Sequence, residues 1–345
     1  MASLEGGFSR IKAARQRVAV DLTDLELVSK APLVEGRDMP LLVQPIVRDI
    51  ELADWVADHR DEVDGLFARH GALLFRGFSV PSVASFERVA QAVVPELFGD
   101  YGDLPPEATG TKVYHSTPYP ADKAILFHNE SSHLPRFPAR QFFHCVIPSE
   151  EGGETPIADC RHIYNVLPRE IVEPLESRQL MYVRNFTDGL DVSWREFYRT
   201  DDRAEVEKFC RLTETEFEWT ASGLRTSQVR PAVITYPPTG EKVFFNQIQL
   251  HHVSQLDADV RDALSSLFSA GDMPRNVFYG DGSPIPDEVV NEITDTYWRE
   301  SVAYRWQAGD ILMVDNLIVA HARNPFRGKR KIVVAMGDMR SAAEL

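Results

Sequence analysis

The stretch at residues 125–156 places a charged pair where an apolar segment would ordinarily be buried. His128 and Glu130 are separated by one residue and directly follow three apolar side chains, at 125–127. In a β-strand, side chains two residues apart project from the same face, so this imidazole and this carboxylate would converge on one point. Because burying an unpaired carboxylate is costly, a bound cation is a physical reason for Glu130 to lie there. The stretch therefore predicts half of a metal site.

A third metal ligand has two candidates among the ten histidines, most of which are expected to pack or to form hydrogen bonds. His133 gives a His-x-Glu-x-x-His spacing, but Pro135 follows almost at once and the spacing differs from the helical motif of zinc proteases. We therefore reject His133 as a ligand. His321 is the stronger candidate, because it ends an apolar, strand-like run at 311–321 that follows a turn-like segment.

Two imidazoles and one carboxylate leave open the choice between two kinds of metal enzyme. Non-haem Fe(II) oxygenases hold iron by this set on one face of an octahedron, whereas zinc hydrolases combine three protein ligands with a water. Arg330 begins the next strand-like run after His321 and offers a planar, two-pronged donor for a carboxylate, and Thr155 offers a hydroxyl. Both favour an oxygenase that binds 2-oxoglutarate beside its metal.

Composition excludes several classes of partner. The chain has 345 residues and a formal net charge of −15, which argues against a nucleic-acid backbone or an anionic membrane as the main partner and favours a small molecule. The three cysteines show no CxxC spacing, which predicts reduced thiols and a cytoplasmic protein. The first 20 residues lack the apolar core of a signal peptide, and no stretch approaches the length of a membrane span.

The order of periodic segments predicts one domain with a β-rich core. Residues 1–40 are expected to be a loosely attached lead-in, and residues 41–345 a single domain that begins with helices, the first at 49–70. From residue 125 onward, short strand-like runs dominate, and they are interrupted by a charged, helix-compatible insertion at 193–219 that is expected to act as a lid. This pattern predicts a mainly β fold with helices, built on a jelly-roll core with a ligand site at its mouth.

Several motifs together resemble one enzyme family. They are His128-Asn129-Glu130, the GGETP of residues 152–156, HGALLFRGF at 70–78 and GDILMVDNLIVAHARNPFRGKRKIVVAM at 309–336. In this order they resemble the TauD/TfdA family of Fe(II)- and 2-oxoglutarate-dependent dioxygenases. VYHSTPYP at 113–120 and TGEKVFFNQIQLHH at 239–252 add a likeness to its SyrP-like and clavaminate-synthase-like branch.

The resemblance implies a double-stranded β-helix core and a complete set of cofactor ligands. Iron would be held by His128, Glu130 and His321, and 2-oxoglutarate by Arg330 and Thr155, with O2 as the second co-substrate. Because the spacing from His321 to the arginine is shorter than in taurine-type members, Arg323 and Arg327 are alternates. Arg330 is preferred, because on a strand it shares its face with three apolar residues, Ile332, Val334 and Met336.

The resemblance also implies a substrate class. It predicts hydroxylation of an unactivated C–H bond in an amino acid or an amino-acid-derived group, free or tethered to a carrier protein, during the biosynthesis of an antibiotic or another specialised metabolite. Asn246, Gln247 and His251 are candidate substrate contacts, although the two amides would equally suit a turn at a strand end. Glu130 argues against a halogenase, because the halogenases related to this family lack this carboxylate.

Other functions remain open at this level. The same cofactors could support desaturation or cyclisation, and a cupin-type metal enzyme would need no 2-oxoglutarate. A binding protein on a degenerate barrel would be favoured only if one of the three metal ligands were missing. The sequence does not indicate an oligomeric state.

Overall fold

The computed structural model describes residues 27–99, 107, 111–116, 119–187, 192–221 and 223–344. Helix accounts for 31% and strand for 32% of it, so the protein is a mixed α/β chain with several sheets, and more helical than the sequence predicts. No helix in these ranges is long and apolar enough to cross a membrane.

The elements follow one another in a long alternation of strands and helices. The strands are β1 Val28–Pro32, β2 Leu41–Pro45, β3 Ala72–Phe75, β4 Tyr114–His115, β5 Ile125–His128, β6 Arg136–Ile147, β7 Glu151–Gly152, β8 Ile157–Asp159, β9 Leu180–Thr187, β10 Glu216–Thr220, β11 Gly223–Arg230, β12 Val233–Thr235, β13 Lys242–Phe244, β14 Arg275–Tyr279, β15 Ile311–Asp315, β16 Val319–Arg323, β17 Phe326–Arg327 and β18 Lys331–Ser341. The α-helices are α1 Leu52–Asp58, α2 Arg60–His70, α3 Val83–Val93, α4 Cys160–Val166, α5 Arg169–Arg178, α6 Trp194–Tyr198, α7 Arg203–Leu212, α8 Ile248–His251, α9 Ala258–Leu267 and α10 Asp287–Glu300.

A seven-stranded sheet in the order β1-β2-β3-β15-β6-β18-β4 forms the main wall of the protein. Its neighbours are antiparallel except β2 and β3, which are parallel. Successive side chains of a strand point to opposite faces, and β6 shows this clearly. Phe142 packs among the buried side chains of α1, α2 and α3, whereas Phe143 packs into the larger cluster on the other face. The sheet is therefore covered by helices on one side and faces the candidate site on the other.

A three-stranded sheet in the order β5-β16-β8 lies across this larger cluster from the main wall. The chain passes from one sheet to the other at the short turn between β15, which belongs to the main wall, and β16. Residue Asn316 of that turn is fully buried. The turn therefore fixes how the two sheets are joined at the centre of the molecule.

The segment at 193–219 forms a small body of its own against the outer sheet β10-β11-β9-β14. It contains α6, α7 and most of β10, and Trp194, Val206 and Cys210 pack there against Phe186 and Leu224. Helix α6 begins with a capping box, in which Ser193 and Glu196 bond each other's backbone N–H groups. The action of this segment as a lid stays a prediction.

Three local expectations differ from the structure. The helix expected at 49–70 is divided into α1 and α2, because His59 leaves helical geometry with φ −118°. Strand β5 ends at His128, so Glu130 lies in the turn that follows rather than on the strand. The segment at 193–219, which the sequence describes as helix-compatible, also contains most of strand β10.

The expected lead-in at 1–40 falls partly outside the described residues, which begin at residue 27. Within it, Val28–Pro32 forms β1 and pairs with β2 at the edge of the main sheet. The division of the chain at residue 40 stays a prediction.

A buried ion pair ties the main sheet together. Arg76, just after β3, donates from Nε and Nη2 to both carboxylate oxygens of Asp310, just before β15, at 3.0 and 2.6 Å. Asp310 is only 1% exposed and also accepts from the backbone N–H of Gln307 at 2.9 Å. Removing the arginine would leave a buried carboxylate without its cation.

We therefore expect Arg76→Ala to lower the free energy of unfolding by about 3–5 kcal/mol. Arg88→Ala is the matched control, because Arg88 pairs with Glu51 and Asp54 on the surface, where such pairs contribute less than about 1 kcal/mol. Urea unfolding measures both. Equal losses in the two variants would show that the buried pair has no special importance.

Candidate metal centre

His128, Glu130 and His321 converge at one point between the two sheets. One ligand atom from each lies within 4.8 Å of the others, and His128 Nε2 is 3.9 Å from Glu130 Oε2. The two imidazole rings have their centroids 4.2 Å apart. The residues that the sequence names as a ligand set are therefore neighbours in space.

Strand pairing brings the two histidines together across 193 positions of sequence. Strands β5 and β16 are antiparallel, and His321 is the direct partner of His128. Glu130 reaches the same point from the turn after β5. The alternation of side chains along a strand therefore does not determine the direction of its side chain. The turn contains Ser131 with φ +57°, a left-handed conformation uncommon for a residue other than glycine.

A buried asparagine from the β15–β16 turn holds the segment that carries Glu130. The backbone N–H of Glu130 donates to Asn316 Oδ1 at 2.6 Å, and Asn316 Nδ2 donates to the carbonyl oxygen of Glu130 at 2.9 Å and to that of Pro138 at 2.8 Å. All its amide groups are thereby engaged. Asn316 thus ties the carboxylate's backbone to the main sheet without touching the candidate metal position.

The amides at 246 and 247 support the same segment from the other side. Asn129 Oδ1 accepts from the backbone N–H of Asn246 at 3.3 Å, and Gln247 Nε2 donates to the carbonyl oxygen of Asn129 at 2.9 Å. Asn246 Nδ2 donates to the carbonyl oxygen of Ala232. The sequence leaves two roles open for Asn246 and Gln247, contact with substrate and support of a turn. The hydrogen bonds seen here are those expected for support of a turn. The contact of the two amides with substrate stays a prediction.

His251 lies beyond this network, with its ring centroid 5.1 Å from that of His133. Its Nδ1 is 3.1 Å from the carbonyl oxygen of Gln247. Burial and the positive charge of Arg275 lower the pKa of His251 to about 3, so the ring is neutral at ordinary pH. Neither histidine borders the cavity described below.

The surroundings of the two converging histidines suit metal binding. His128 Nδ1 lies 2.8 Å from the carbonyl oxygen of Leu126. Since a carbonyl only accepts, Nδ1 carries the proton and Nε2 keeps its lone pair for a metal. Burial, together with the nearby His128, holds the pKa of His321 well below 6.5. His321 is therefore neutral, which is the form that binds metal ions.

An open cavity of about 530 Å³, including the solvent at its mouth, is lined by His128, Glu130 and His321. Its other polar lining residues are Ser116, Gln141, Thr155, Arg323 and Arg330. Its apolar lining residues are Ile125, Phe143, Ala322, Ile332, Val334 and Met336. A small molecule in this cavity would therefore lie between the candidate metal ligands and an arginine, in contact with apolar side chains.

Arg330 lies one residue before β18 and reaches into the cavity. Its Nε donates to the carbonyl oxygen of Gly153 at 2.9 Å. Burial and the nearby Arg323 lower the pKa of Arg330 to about 10, so it remains a cation at neutral pH. Among the ion pairs between described residues, none includes Arg330. A half-buried guanidinium in this state suits a ligand carboxylate.

The two alternate arginines are placed differently. Arg323 also borders the cavity, but its Nη atoms donate to the carbonyl oxygens of Tyr119, Pro120 and Lys123. The side chain of Arg327 is 84% exposed and lies near Glu151 on the surface.

Thr155 faces the cavity from the segment after the glycine pair. Its Oγ1 accepts from Trp306 Nε1 at 3.1 Å, which leaves the hydroxyl proton for a ligand. Gly153 has φ +72°, and a Cβ there would lie 2.5 Å from Ser149 Oγ and 3.0 Å from Arg330 Cδ. The glycine thus lets this segment pass close to Arg330.

The comparisons with known proteins identify the family. The sequence model of the taurine catabolism dioxygenase TauD, TfdA family matches residues 35–336, so the chain belongs to this family, and the resemblance seen in the motifs is confirmed. The protein is accordingly an Fe(II)- and 2-oxoglutarate-dependent oxygenase.

Two sequence relatives cover most of the chain. The dapdiamide synthesis protein DdaC of Enterobacter agglomerans is 36% identical over 309 residues, which span 89% of this chain and 93% of the relative. A clavaminate synthase-like protein of Arabidopsis thaliana is 29% identical over 322 residues, which span 88% of this chain and 94% of that relative.

A solved structure supports the fold. PvcB of Pseudomonas aeruginosa aligns with a TM-score of 0.54 at 15% identity, over 96% of this chain and 94% of that one. PvcB is an Fe, α-ketoglutarate dependent oxygenase from an isonitrile synthetic pathway. At this identity, the likeness concerns the fold alone.

The asparagine in the β15–β16 turn yields a test of metal-site support. We expect Asn316→Ala to weaken Mn(II) binding about 10- to 100-fold, because groups that orient metal ligands typically contribute this much. Isothermal titration calorimetry measures the Kd.

Tyr236→Phe is the matched control. Tyr236 donates to Asp315, the residue next to Asn316, at 2.6 Å in the same buried region, but it does not bond the segment of Glu130. We expect it to lower the melting temperature and leave the Kd for Mn(II) unchanged. If Asn316→Ala behaved like this control, the asparagine would be a stabilising residue only.

Proposed function

We propose that this protein hydroxylates an amino-acid-derived small molecule, with iron held by His128, Glu130 and His321. The observation that carries the proposal is the convergence of these three side chains at one cavity that also contains Arg330 and Thr155. A metal at one end and a half-buried cation with a hydroxyl at the other match the two ends of a keto dicarboxylic acid.

We infer that the main sheet and the three-stranded sheet are the two walls of a double-stranded β-helix, or jelly roll. Support comes from the apolar cluster that they share and from the direct passage of β15 into β16 between them. The cavity opens between these walls. A ligand site in the mouth of such a barrel is common.

In this proposal, the protein's own residues bind the cofactors and orient the substrate. When bound, iron and 2-oxoglutarate supply the oxidising chemistry, in which the keto acid is decarboxylated to succinate as O2 is consumed. Arg330 holds the distal carboxylate of 2-oxoglutarate by a charge-assisted pair, and Thr155 donates its hydroxyl proton to the same ligand. Phe143 and Met336 are apolar wall residues that limit the entry of bulk water.

We infer that the substrate is an amino acid or a group derived from one, free or tethered to a carrier protein. Support comes from DdaC, whose name places it in dapdiamide synthesis.

The segment at 193–219 is the lid in this proposal, although none of its described residues lines the cavity. Desaturation or cyclisation with the same cofactors is the second candidate outcome. A cytoplasmic location and residues 41–345 as one domain complete the proposal.

The assignment of Arg330 is testable by steady-state kinetics. We expect Arg330→Ala to raise the KM for 2-oxoglutarate at least about 30-fold, because losing a hydrogen-bonded charged partner costs about 2 kcal/mol or more. Arg327→Ala is the matched control and should leave the KM unchanged, since that side chain is on the surface. The assay measures succinate formation with Fe(II) and O2. An unchanged KM in Arg330→Ala would move the role to Arg323.

The same assay, followed by mass spectrometry, tests the reaction itself. Candidate amino acids, free and carrier-tethered, are incubated with Fe(II), 2-oxoglutarate and O2. A gain of one oxygen atom identifies hydroxylation, whereas a loss of two hydrogen atoms identifies desaturation or cyclisation. Product formation that does not need 2-oxoglutarate would instead indicate a cupin-type metal enzyme.

A further inference from the structure

Gln141 is a polar side chain in the apolar wall of the cavity. It lies on β6, the strand between β15 and β18, and its direct partners on these strands are Val314 and Met336. Its neighbour on the same face of β6 is Phe143, which also lines the cavity. Gln141 is only 2% exposed. A buried amide among apolar side chains requires hydrogen-bond partners for both its ends.

The nitrogen end of this amide has a partner. Gln141 Nε2 lies 3.4 Å from Glu130 Oε2. A carboxylate that binds a metal accepts hydrogen bonds and does not donate them, so the amide must turn its NH2 group toward Glu130. The opposite orientation would place two acceptor oxygens against each other. The neighbour Glu130 therefore determines the direction in which Gln141 Oε1 points.

The oxygen end has no partner among the residues that the structure describes. Gln141 Oε1 is buried and accepts no hydrogen bond from any of them. Thr155 and Arg330, two other polar groups of the cavity, are already assigned to 2-oxoglutarate, and Arg323 donates to backbone carbonyls. An amide oxygen that can only accept thus borders the cavity beside a metal-binding carboxylate.

We propose that Gln141 Oε1 accepts a hydrogen bond from an N–H or O–H group of the substrate. The proposal rests on the proposed function, since it takes this cavity as the substrate's. The side chain of Gln141 would then bond Glu130 at one end and the substrate at the other. It would so fix the distance between the substrate and the carboxylate of Glu130. The substrate class is a molecule with an amide, amine or hydroxyl donor near the carbon that is oxidised.

This arrangement would also determine specificity. A site that is built to bond a polar group rejects an analogue that lacks it, because the buried protein group is then left unpaired. The rest of the nearby wall is apolar and discriminates by shape. We therefore expect the enzyme to distinguish an amide from the matching ester, which has the same shape but no N–H.

The test uses a fragment library of matched pairs, each an N-methylamide with the corresponding methyl ester or an alcohol with the corresponding alkyl fluoride, so that the two members have nearly the same shape and differ in the N–H or O–H donor. The probes are mixed with enzyme loaded with Mn(II) and 2-oxoglutarate, and ligand NMR signals report binding near the paramagnetic metal. We expect donor members to bind wild-type enzyme about tenfold more tightly than their partners, and this preference to disappear in Gln141→Met. Equal relaxation of both members of every pair by wild-type enzyme, whether strong or absent, would overturn the proposal.

Gln141→Lys separates the acceptor role from support of Glu130. Lysine keeps a donor toward Glu130 but has no acceptor, so we expect it also to lose the preference for donor probes. If Gln141→Lys kept the preference, Gln141 would act only through Glu130. Failure of the proposed function is read separately, by electron paramagnetic resonance of Mn(II) and by titration with 2-oxoglutarate before any probe is added.

Discussion

The antiparallel pairing of β5 with β16 is the constraint on which the candidate site depends. It makes His321 the direct partner of His128, although the two are 193 positions apart in sequence. The Leu126 carbonyl orients the ring of His128, and burial keeps the ring of His321 neutral. A slip of one residue in this register would turn one imidazole away from the other. The convergence of the two histidines is thus a property of sheet pairing.

The carboxylate needs a different kind of support, because Glu130 lies in a turn. Asn316 holds its backbone from the junction of the two sheets, and Asn129 is held in turn by the segment at 246–247. These bonds are buried, and buried amides that are fully paired rigidify their surroundings. Gln141 reaches the same carboxylate from the main wall. Three separate parts of the chain therefore restrain one turn, which is how a loop ligand can be held as firmly as a strand ligand.

The sequence predicts the family, the candidate ligands and the arginine from local patterns, because motifs such as His128-Asn129-Glu130 keep their spacing. It does not predict that Glu130 leaves the strand, since strand ends depend on partners such as Asn316 that are distant in sequence. For Asn246 and Gln247, the choice between pocket and turn requires three-dimensional neighbours. Gln141 carries no sequence signal, because one glutamine in an apolar run gives no sign of which atoms face it. The structure contains more helix than the sequence analysis predicts, because α4, α5 and α10 interrupt the part of the chain in which strand-like runs dominate.

We propose that His128, Glu130 and His321 together hold Fe(II) and leave it accessible to the keto acid. Anaerobic titration of the Fe(II)-loaded protein with 2-oxoglutarate, followed by visible absorption, tests it most directly. Chelation of Fe(II) by the keto acid should produce a metal-to-ligand charge-transfer band that saturates at one equivalent in the wild-type protein and does not form in His321→Ala. A band of equal intensity in the variant, or no band in the wild-type protein, would contradict the account.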